Sequence, residues 1–139
     1  MKYIFMLGQS IDLAKQEVIN ILQGPEDKIE LIGQNFILAD TDKDSKNLMS
    51  ILGGTIKIAK YLDTINNLDE LDIDKWQAYL TLQEDKKNNH GFSLYNDSKK
   101  SWHHLYKLSL ELKKELKSQK YKARLVTGKQ HDLSSVIVI

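Results

Sequence analysis

Residues 2–40 read KYIFMLGQSIDLAKQEVINILQGPEDKIELIGQNFILAD, and this stretch decides the fold of the first half of the chain. Its first segment, KYIFML at residues 2–7, is apolar and is followed by a glycine, which predicts a short buried strand. Ser10 then suits the N-cap position of a helix that runs to about Gln23. Apolar residues recur along that helix at intervals of three and four, the spacing of a helix that packs on a sheet.

Two β-like runs follow the helix, at residues 28–33 and 35–40, and the tight glycine link between them predicts a hairpin. Asp44 or Ser45 can cap a second, short helix. A Gly-Gly turn then leads into TIKIAKYL at residues 55–62, where isoleucines alternate with lysines as in a half-buried strand. The predicted order is β-α-β-β-α-β, which is the order of a ferredoxin-like fold.

The second half of the chain alternates polar links with apolar patterns, so the predicted fold class is α+β throughout. We place a ferredoxin-like domain at residues 1–65 and a second α/β domain at residues 66–139. The elements expected in the second domain are an acidic connection at 68–74, a helix capped by Asp74 that contains Trp76, Tyr79, Leu80 and Leu82, a polar loop at 86–89, a strand at 90–96, a turn at 96–98, a helix at 99–119, a strand at 122–127, a loop at 128–132 and a strand at 133–139.

Composition excludes several classes of protein. With 139 residues, 41% hydrophobic and 28% charged, the chain has the balance of a globular protein and not of a disordered one. It contains no cysteine, which excludes disulfides and thiolate metal sites. No apolar run approaches the ~20 residues of a membrane-spanning helix, and no signal peptide is recognisable, so we expect a cytoplasmic protein without a membrane partner.

The last residues, Val136–Ile139, are consecutive apolar residues with β propensity. An uncovered strand of this kind is prone to aggregate, so we expect it to be covered. One expectation is that the chain is a fragment whose missing part, or another chain, pairs with this strand. The other is that the strand lies centrally in the sheet of this domain.

Charge is distributed unevenly. Residues 1–63 have a net charge of −2 and residues 64–98 of −4, whereas residues 99–139 have a net charge of +7. A basic third on an otherwise acidic chain indicates a polyanionic partner, or else a lysine-rich solvated surface. Because Arg124 is the one arginine among the basic residues of this third, phosphate contact is favoured over bidentate reading of bases.

The predicted helix at 99–119 carries this charge. Its apolar residues Trp102, Leu105, Leu108, Leu112 and Leu116 share one face, and lysines at seven-residue intervals lie nearly opposite them. An amphipathic helix with a solvated charged face would have the same pattern. As the candidate RNA-binding residues we name Lys100, Lys107, Lys114, Lys117, Arg124 and Lys129.

Catalytic and metal-binding motifs are missing from the sequence. It has no phosphate-binding P-loop, no dinucleotide-binding glycine turn and no nucleophile elbow. His103 and His104 are adjacent, so on a helix they diverge and cannot share a metal as an i, i+4 pair can. We therefore assign no catalytic residue and no metal ligand.

Several motifs together resemble the THUMP-containing RNA methyltransferases of the guanosine-N2-methylating group. The opening YIFMLGQSIDLAKQEVINIL has the strand, Leu-Gly turn and helix with a central glutamate, here Glu17, with which those proteins begin. HGFSLYN, LSLELKKELKSQKYKARLV and DLSSVIVI resemble the strand, lysine-rich helix and closing strand of their THUMP module.

The resemblance implies a ferredoxin-like domain joined to a THUMP domain that together bind tRNA. It also implies a separate catalytic domain that uses S-adenosylmethionine, which these residues do not contain, so we expect this chain alone neither to bind that cofactor nor to methylate RNA. A small protein–protein interaction domain that pairs through its C-terminal strand is the alternative. A complete small enzyme with an unrecognised site is a third possibility.

Overall fold

The structure, a computed structural model, describes residues 1–80, 82–94 and 99–126, with the main chain alone for Leu68 and residues 99–101. The fold is α+β, as predicted, and the chain divides into two compact units, Met1–Asp63 (unit 1) and Thr64–Ile139 (unit 2). The described residues contain no helix that is long and apolar enough to cross a bilayer. The expected turn at 96–98, the loop at 128–132 and the strand at 133–139 lie outside the described residues.

Unit 1 contains six elements in the predicted order, strand-helix-strand-strand-helix-strand. They are β1 (Lys2–Leu7), α1 (Ile11–Ile21), β2 (Lys28–Ile32), β3 (Phe36–Asp40), α2 (Ser45–Ile51) and β4 (Thr55–Lys60). The four strands form one sheet in the order β2-β3-β1-β4, and every neighbouring pair is antiparallel. The two strands at the centre of this sheet are therefore β1 and β3.

The core of unit 1 forms between the sheet and its two helices. Phe5 of β1 and Ile37 of β3 are fully buried and lie opposite each other in the antiparallel register. Val18 of α1 and Leu48 of α2 belong to the same buried cluster. The apolar residues that alternate along the strands therefore pack against the apolar residues spaced three and four apart on the helices, as the sequence pattern predicts.

The ends of the unit 1 helices differ slightly from the prediction. Helix α1 ends at Ile21 and not at Gln23, because the main chain turns away at Leu22, whose N–H still donates to the Val18 carbonyl oxygen. Ser10 occupies the N-cap position, but its side chain makes no capping hydrogen bond. Asp44 is the N-cap of α2, since its carboxylate accepts a hydrogen bond from the N–H of Asn47 at 3.0 Å.

Unit 2 contains two helices, two strands and a short 3-10 turn at Leu68–Glu70 among its described residues. The elements are α3 (Ile73–Tyr79), β5 (Lys87–Gly91), α4 (Lys99–Ser118) and β6 (Lys122–Val126). Strands β5 and β6 pair in parallel, and α4 connects them along the chain. Leu112, Leu116 and Ala123 form the buried cluster on which partly buried apolar side chains pack.

The predicted loop at 86–89 and the predicted strand at 90–96 are wrong in their bounds, because strand β5 begins earlier and ends earlier than expected. The strand is Lys87–Gly91, so it begins within the expected loop. Its residues are polar and have no alternating pattern, and tertiary contacts stabilise it instead. The Asn88 side-chain amide donates hydrogen bonds to the main-chain oxygens of Gln83 and Lys122 at 3.0 and 3.1 Å, and the His90 side chain is buried.

Helix α3 is shorter than predicted, and its N-cap lies two residues earlier in the chain. Asp72, not Asp74, is its N-cap, with the carboxylate accepting from the N–H of Lys75 at 2.8 Å. The helix ends at Tyr79, so Leu80 and Leu82 lie outside it, but both still pack on the unit 2 core. The apolar residues in this segment therefore indicate that it is buried, and they do not show that it is helical.

Candidate nucleic-acid interface

Helix α4 has a buried side and an exposed basic side. Leu105, Leu112 and Leu116 are buried. Lys107 and Lys114 are exposed seven residues apart, on the opposite side of the helix. The predicted separation of apolar and basic faces is therefore present in the described part of α4.

A cleft of about 500 Å³ opens near the junction between α4 and β6. All of the charged side chains that line it are cationic, and they come from three different elements. They are Lys87 of β5, Lys113 and Lys117 of α4, and Lys122 and Arg124 of β6. Tyr121 and Ala123 complete the lining of this basic cleft.

The parallel strand pair and the helix bring these cations together. In the register of β5 with β6, Lys87 lies directly opposite Lys122. Lys113 and Lys117 are four residues apart on α4, so they are neighbours on the helix surface. Both arrangements place like charges side by side, which costs stability in a strand pair and in a helix alike.

The turn between α4 and β6 fixes the position of Tyr121 in the cleft. Lys120 has a positive φ of 68°, the left-handed conformation of a helix C-terminal cap. The Tyr121 N–H donates to the Leu116 carbonyl oxygen at 2.9 Å, and the Lys120 N–H donates to that of Lys117 at 3.1 Å. The Tyr121 side chain packs against the unit 2 core, so its half-buried ring forms a firm wall of the cleft.

The cations of the basic cleft are not neutralised by nearby carboxylates. No described carboxylate lies within 4.0 Å of Lys87, Lys113, Lys117, Lys122 or Arg124. Lysines in the last turn of a helix favour its negative C-terminal end, and this accounts for Lys117 alone among them. The strand cations Lys87, Lys122 and Arg124 have no such helix end beside them, and no ion pair with a described carboxylate, so the described charges that line the cleft are all positive.

Sequence reasoning found part of this site. Of the predicted residues, Lys117 and Arg124 line the basic cleft, whereas Lys107 and Lys114 are exposed elsewhere on α4. The side chain of Lys100 and all of Lys129 lie outside the described part of the chain. Sequence reasoning missed three cleft residues, Lys87, Lys113 and Lys122. The many lysines near residue 120 could have indicated Lys113 and Lys122. Lys87 is distant in sequence and reaches the site only because β5 pairs with β6.

The other side of α4 is acidic. A second cleft of unit 2, about 530 Å³ in volume, is lined by Asp69, Asp72, Asp74, Glu111 and Glu115 together with His104. His104 Nε2 lies 4.0 Å from an Asp69 carboxylate oxygen. Among residues 1–80, 82–94 and 99–126, no group of three or more such side chains is arranged to hold a metal ion. The two clefts of unit 2 therefore have linings of opposite charge.

His90 has a structural role. Its side chain is buried, and its Nε2–H donates to the main-chain oxygen of Ser109 at 3.2 Å, which ties β5 to α4. Burial lowers the pKa of His90 below its ordinary value, so the neutral form is favoured. A neutral, enclosed imidazole does not add to the basic cleft.

Unit 1 contains a larger cleft, of about 670 Å³, beside α1 and the turn before β4. Its one carboxylate, Glu17, accepts hydrogen bonds from the N–H groups of Gly53 and Gly54, each at 2.8 Å. These two bonds lower the pKa of Glu17. A Cβ on Gly54 would lie 2.6 Å from that of Ala14, so the glycine permits close packing of the turn on α1. The carboxylate is engaged in holding this turn, and the cleft lacks the convergent charges of the basic cleft.

Positive charge concentrated in a cleft is thus the chemical feature that distinguishes unit 2. Lysine and arginine side chains at such density suit phosphate groups, to which they donate charge-assisted hydrogen bonds. Comparisons of the chain with protein-family models, with curated proteins and with solved structures find no match.

Proposed function

We propose that unit 2 binds RNA, and that the basic cleft together with the exposed lysines of α4 is its contact surface. One observation carries the proposal. Five cationic side chains from β5, α4 and β6 line a single cleft without a described carboxylate to pair with them. Packing and helix capping do not require this arrangement, and bound phosphates would offset its electrostatic cost.

Recognition is directed at the phosphate backbone. Lys107 and Lys114 add exposed positive charge on α4 to that of the cleft residues Lys117 and Arg124. Lys100 and Lys129 belong to the proposed contact residues on the ground of the sequence alone. Lysine is a flexible point charge that contacts phosphate well and reads base edges poorly. Folded RNA also displays its backbone and 2′-hydroxyls more readily than its bases, so binding follows shape more than sequence.

The wider assignment rests on the sequence resemblance. In it, unit 1 is a ferredoxin-like domain, which its chain order and its antiparallel β2-β3-β1-β4 sheet support, and unit 2 is a THUMP-like domain that selects tRNA for a methyltransferase. S-adenosylmethionine would belong to a separate catalytic domain. Its sulfonium is a cation and does not suit the basic cleft, so the cleft is assigned to RNA phosphate and not to that cofactor.

A titration of total tRNA by fluorescence anisotropy at two salt concentrations tests RNA binding. Two double variants reverse charge, Lys107→Glu with Lys114→Glu on α4 and Lys113→Glu with Lys122→Glu in the cleft. We expect each to weaken binding by at least about tenfold, because fewer counterions are released. The cleft variant should weaken it more, because its two lysines line one cleft with three other cations. Affinity of the wild type should fall steeply with salt for the same reason.

A charge-matched control lies in unit 1. Lys46→Glu with Lys60→Glu changes the net charge equally at exposed positions far along the chain from the cleft, and it should leave tRNA binding nearly unchanged. Tryptophan fluorescence checks folding of unit 2, because Trp76 and Trp102 are the two tryptophans of the protein. No binding by the wild type at low salt, or equal weakening by the control, would overturn the proposal.

A further inference from the structure

The basic cleft differs from the exposed lysines of α4 in that cations from three elements line one space. Its volume of about 500 Å³ lies within the roughly 300–1,000 Å³ of pockets that bind small molecules. A length of RNA helix lies across a surface and spreads its phosphates along it. The exposed lysines Lys107 and Lys114 suit that kind of contact, whereas the cleft gathers five cations around one space.

Charge density decides which phosphate fits. An internal phosphodiester carries a single negative charge, and two of its oxygens are esterified. A phosphomonoester carries a charge of about −1.5 to −2 at pH 7 and offers three acceptor oxygens. The monoester therefore compensates more of the cleft's positive charge from one position.

The donors of the cleft match such a group in kind as well as in charge. Arg124 has a planar fork that can contact two phosphate oxygens at once. Lys87 and Lys122 are register partners in the strand pair, and Lys113 and Lys117 belong to α4, so lysines of the strands and of the helix line the same cleft. Tyr121, held by the turn after α4, adds a phenolic O–H that can donate to phosphate oxygens.

We infer that the basic cleft binds the terminal phosphomonoester of an RNA strand, while the exposed lysines of α4 contact its backbone. This inference rests on the RNA-binding function proposed above. It assigns the two groups of lysines different tasks: the cleft distinguishes a phosphorylated end from an internal stretch, and the α4 surface adds affinity for any RNA.

One single-stranded RNA of fixed sequence and 20 nucleotides, prepared in three forms, tests the inference. The forms carry a 5′-phosphate, a 3′-phosphate or hydroxyls at both ends, and AMP serves as a competitor without a strand. We expect one phosphorylated form to bind about tenfold more tightly than the hydroxyl form, the equivalent of one charge-assisted hydrogen bond. Whichever form is preferred identifies the end that enters the cleft. AMP should displace it only at concentrations at least about a hundredfold higher than the RNA, since AMP lacks the backbone contacts.

Two charge-neutralising variants separate the tasks. Lys113→Gln with Lys122→Gln should abolish the preference for a phosphorylated end. Lys107→Gln with Lys114→Gln, the matched control, should weaken all three RNA forms by the same factor and keep the preference. These four side chains are exposed or half-buried, so the substitutions should leave folding intact.

The outcomes distinguish the two proposals. Failure of every RNA form to bind at low salt overturns RNA binding and this inference together. Equal binding of the three forms overturns this inference alone. A preference that survives Lys113→Gln with Lys122→Gln overturns the assignment to the cleft, and displacement by AMP as effective as by RNA overturns the assignment to a strand end.

Discussion

Unit 1 contains ion pairs that link its loops and strands, whereas in unit 2 five cations line one cleft without a described carboxylate beside them. In unit 1, Lys43 forms an ion pair with the enclosed carboxylate of Asp27, and Lys2 lies 3.0 Å from a Glu30 oxygen. In unit 2, the cations of the basic cleft have no described carboxylate within the same reach. The described residues of the two units contain comparable amounts of secondary structure.

In unit 1, the charged side chain of Asp27 stabilises the fold by linking loops. Asp27 accepts hydrogen bonds from the Thr41 hydroxyl and, at 2.9 Å, from the Gly24 N–H, so it ties two loops of unit 1 together. The Lys43 and Thr41 hydrogen bonds lower the pKa of Asp27. In unit 2 the comparable ties are neutral, formed by Asn88 and His90. No side chain of a cleft cation takes part in these hydrogen bonds.

The largest expected effect tests whether each unit depends on its own core. Leu112 of unit 2 is fully buried and Leu48 of unit 1 nearly so, and Leu→Ala at either position should cost about 2–5 kcal/mol. Urea unfolding followed by tryptophan fluorescence reports on unit 2, and amide hydrogen exchange reports on both units. Leu112→Ala should speed exchange in unit 2 alone. Equal acceleration in unit 1 would show that the two units unfold together and would break the comparison.

Acid should destabilise unit 2 before unit 1. Burial lowers the pKa of His90, so the unfolded state binds the proton more readily, and stability falls as the pH drops below the ordinary histidine value of about 6.5. The slope for one such group is at most about 1.4 kcal/mol per pH unit. The lowered pKa of Asp27 contributes stability to unit 1 that is lost only below the ordinary aspartate value of about 3.9.

Unfolding of both units between pH 7.5 and 5, followed by hydrogen exchange, checks this order. His90→Gln should flatten the pH dependence of unit 2, because it removes the buried imidazole. A decline of unit 1 that precedes that of unit 2 would contradict the assignment.

Helix capping should contribute similarly in the two units. Asp44→Ala in unit 1 and Asp72→Ala in unit 2 each remove a side-chain hydrogen bond to a helix N-terminus, and each should cost about 1 kcal/mol. Ser10→Ala is the control, because the Ser10 side chain makes no capping bond, and it should stay within about 0.5 kcal/mol of the wild type. Urea midpoints of the three variants measure the differences. A cost for Ser10→Ala equal to that for Asp44→Ala would contradict the capping assignment.

The smallest expected effect concerns the turn that positions Tyr121. Lys120 has a φ of 68°, a conformation that costs a residue with a side chain about 1 kcal/mol and that glycine adopts freely. Lys120→Gly should therefore stabilise unit 2 by up to about 1 kcal/mol in urea unfolding. Lys120 does not line the basic cleft, so RNA affinity should change little. A large loss of affinity would show that the RNA contact surface includes Lys120 and extends beyond the cleft.

The sequence predicts the elements that have a local pattern and misses those that depend on a distant partner. Helix α1, the Asp44 cap and helix α4 follow from apolar spacing and capping residues, signals that lie within a few positions of each other. Strand β5 has no such signal, because its polar residues become a strand through pairing with β6, more than 30 positions away. The Asp72 cap differs from the predicted Asp74 because several aspartates nearby can each supply the same hydrogen bond.

By itself, the sequence determined that this is an α+β protein with a β-α-β-β-α-β first half and a long helix with a basic side, because periodicity encodes which face of an element is buried. Only the tertiary structure decided which cations meet. Lys87 lies opposite Lys122 in the parallel register, and the turn at Lys120 places Tyr121 in the same cleft. In unit 1, Glu17 accepts hydrogen bonds from the Gly53-Gly54 turn. The physical reason is that a cleft is formed by residues distant in sequence, and their distances are set by packing of the core, which local patterns do not specify.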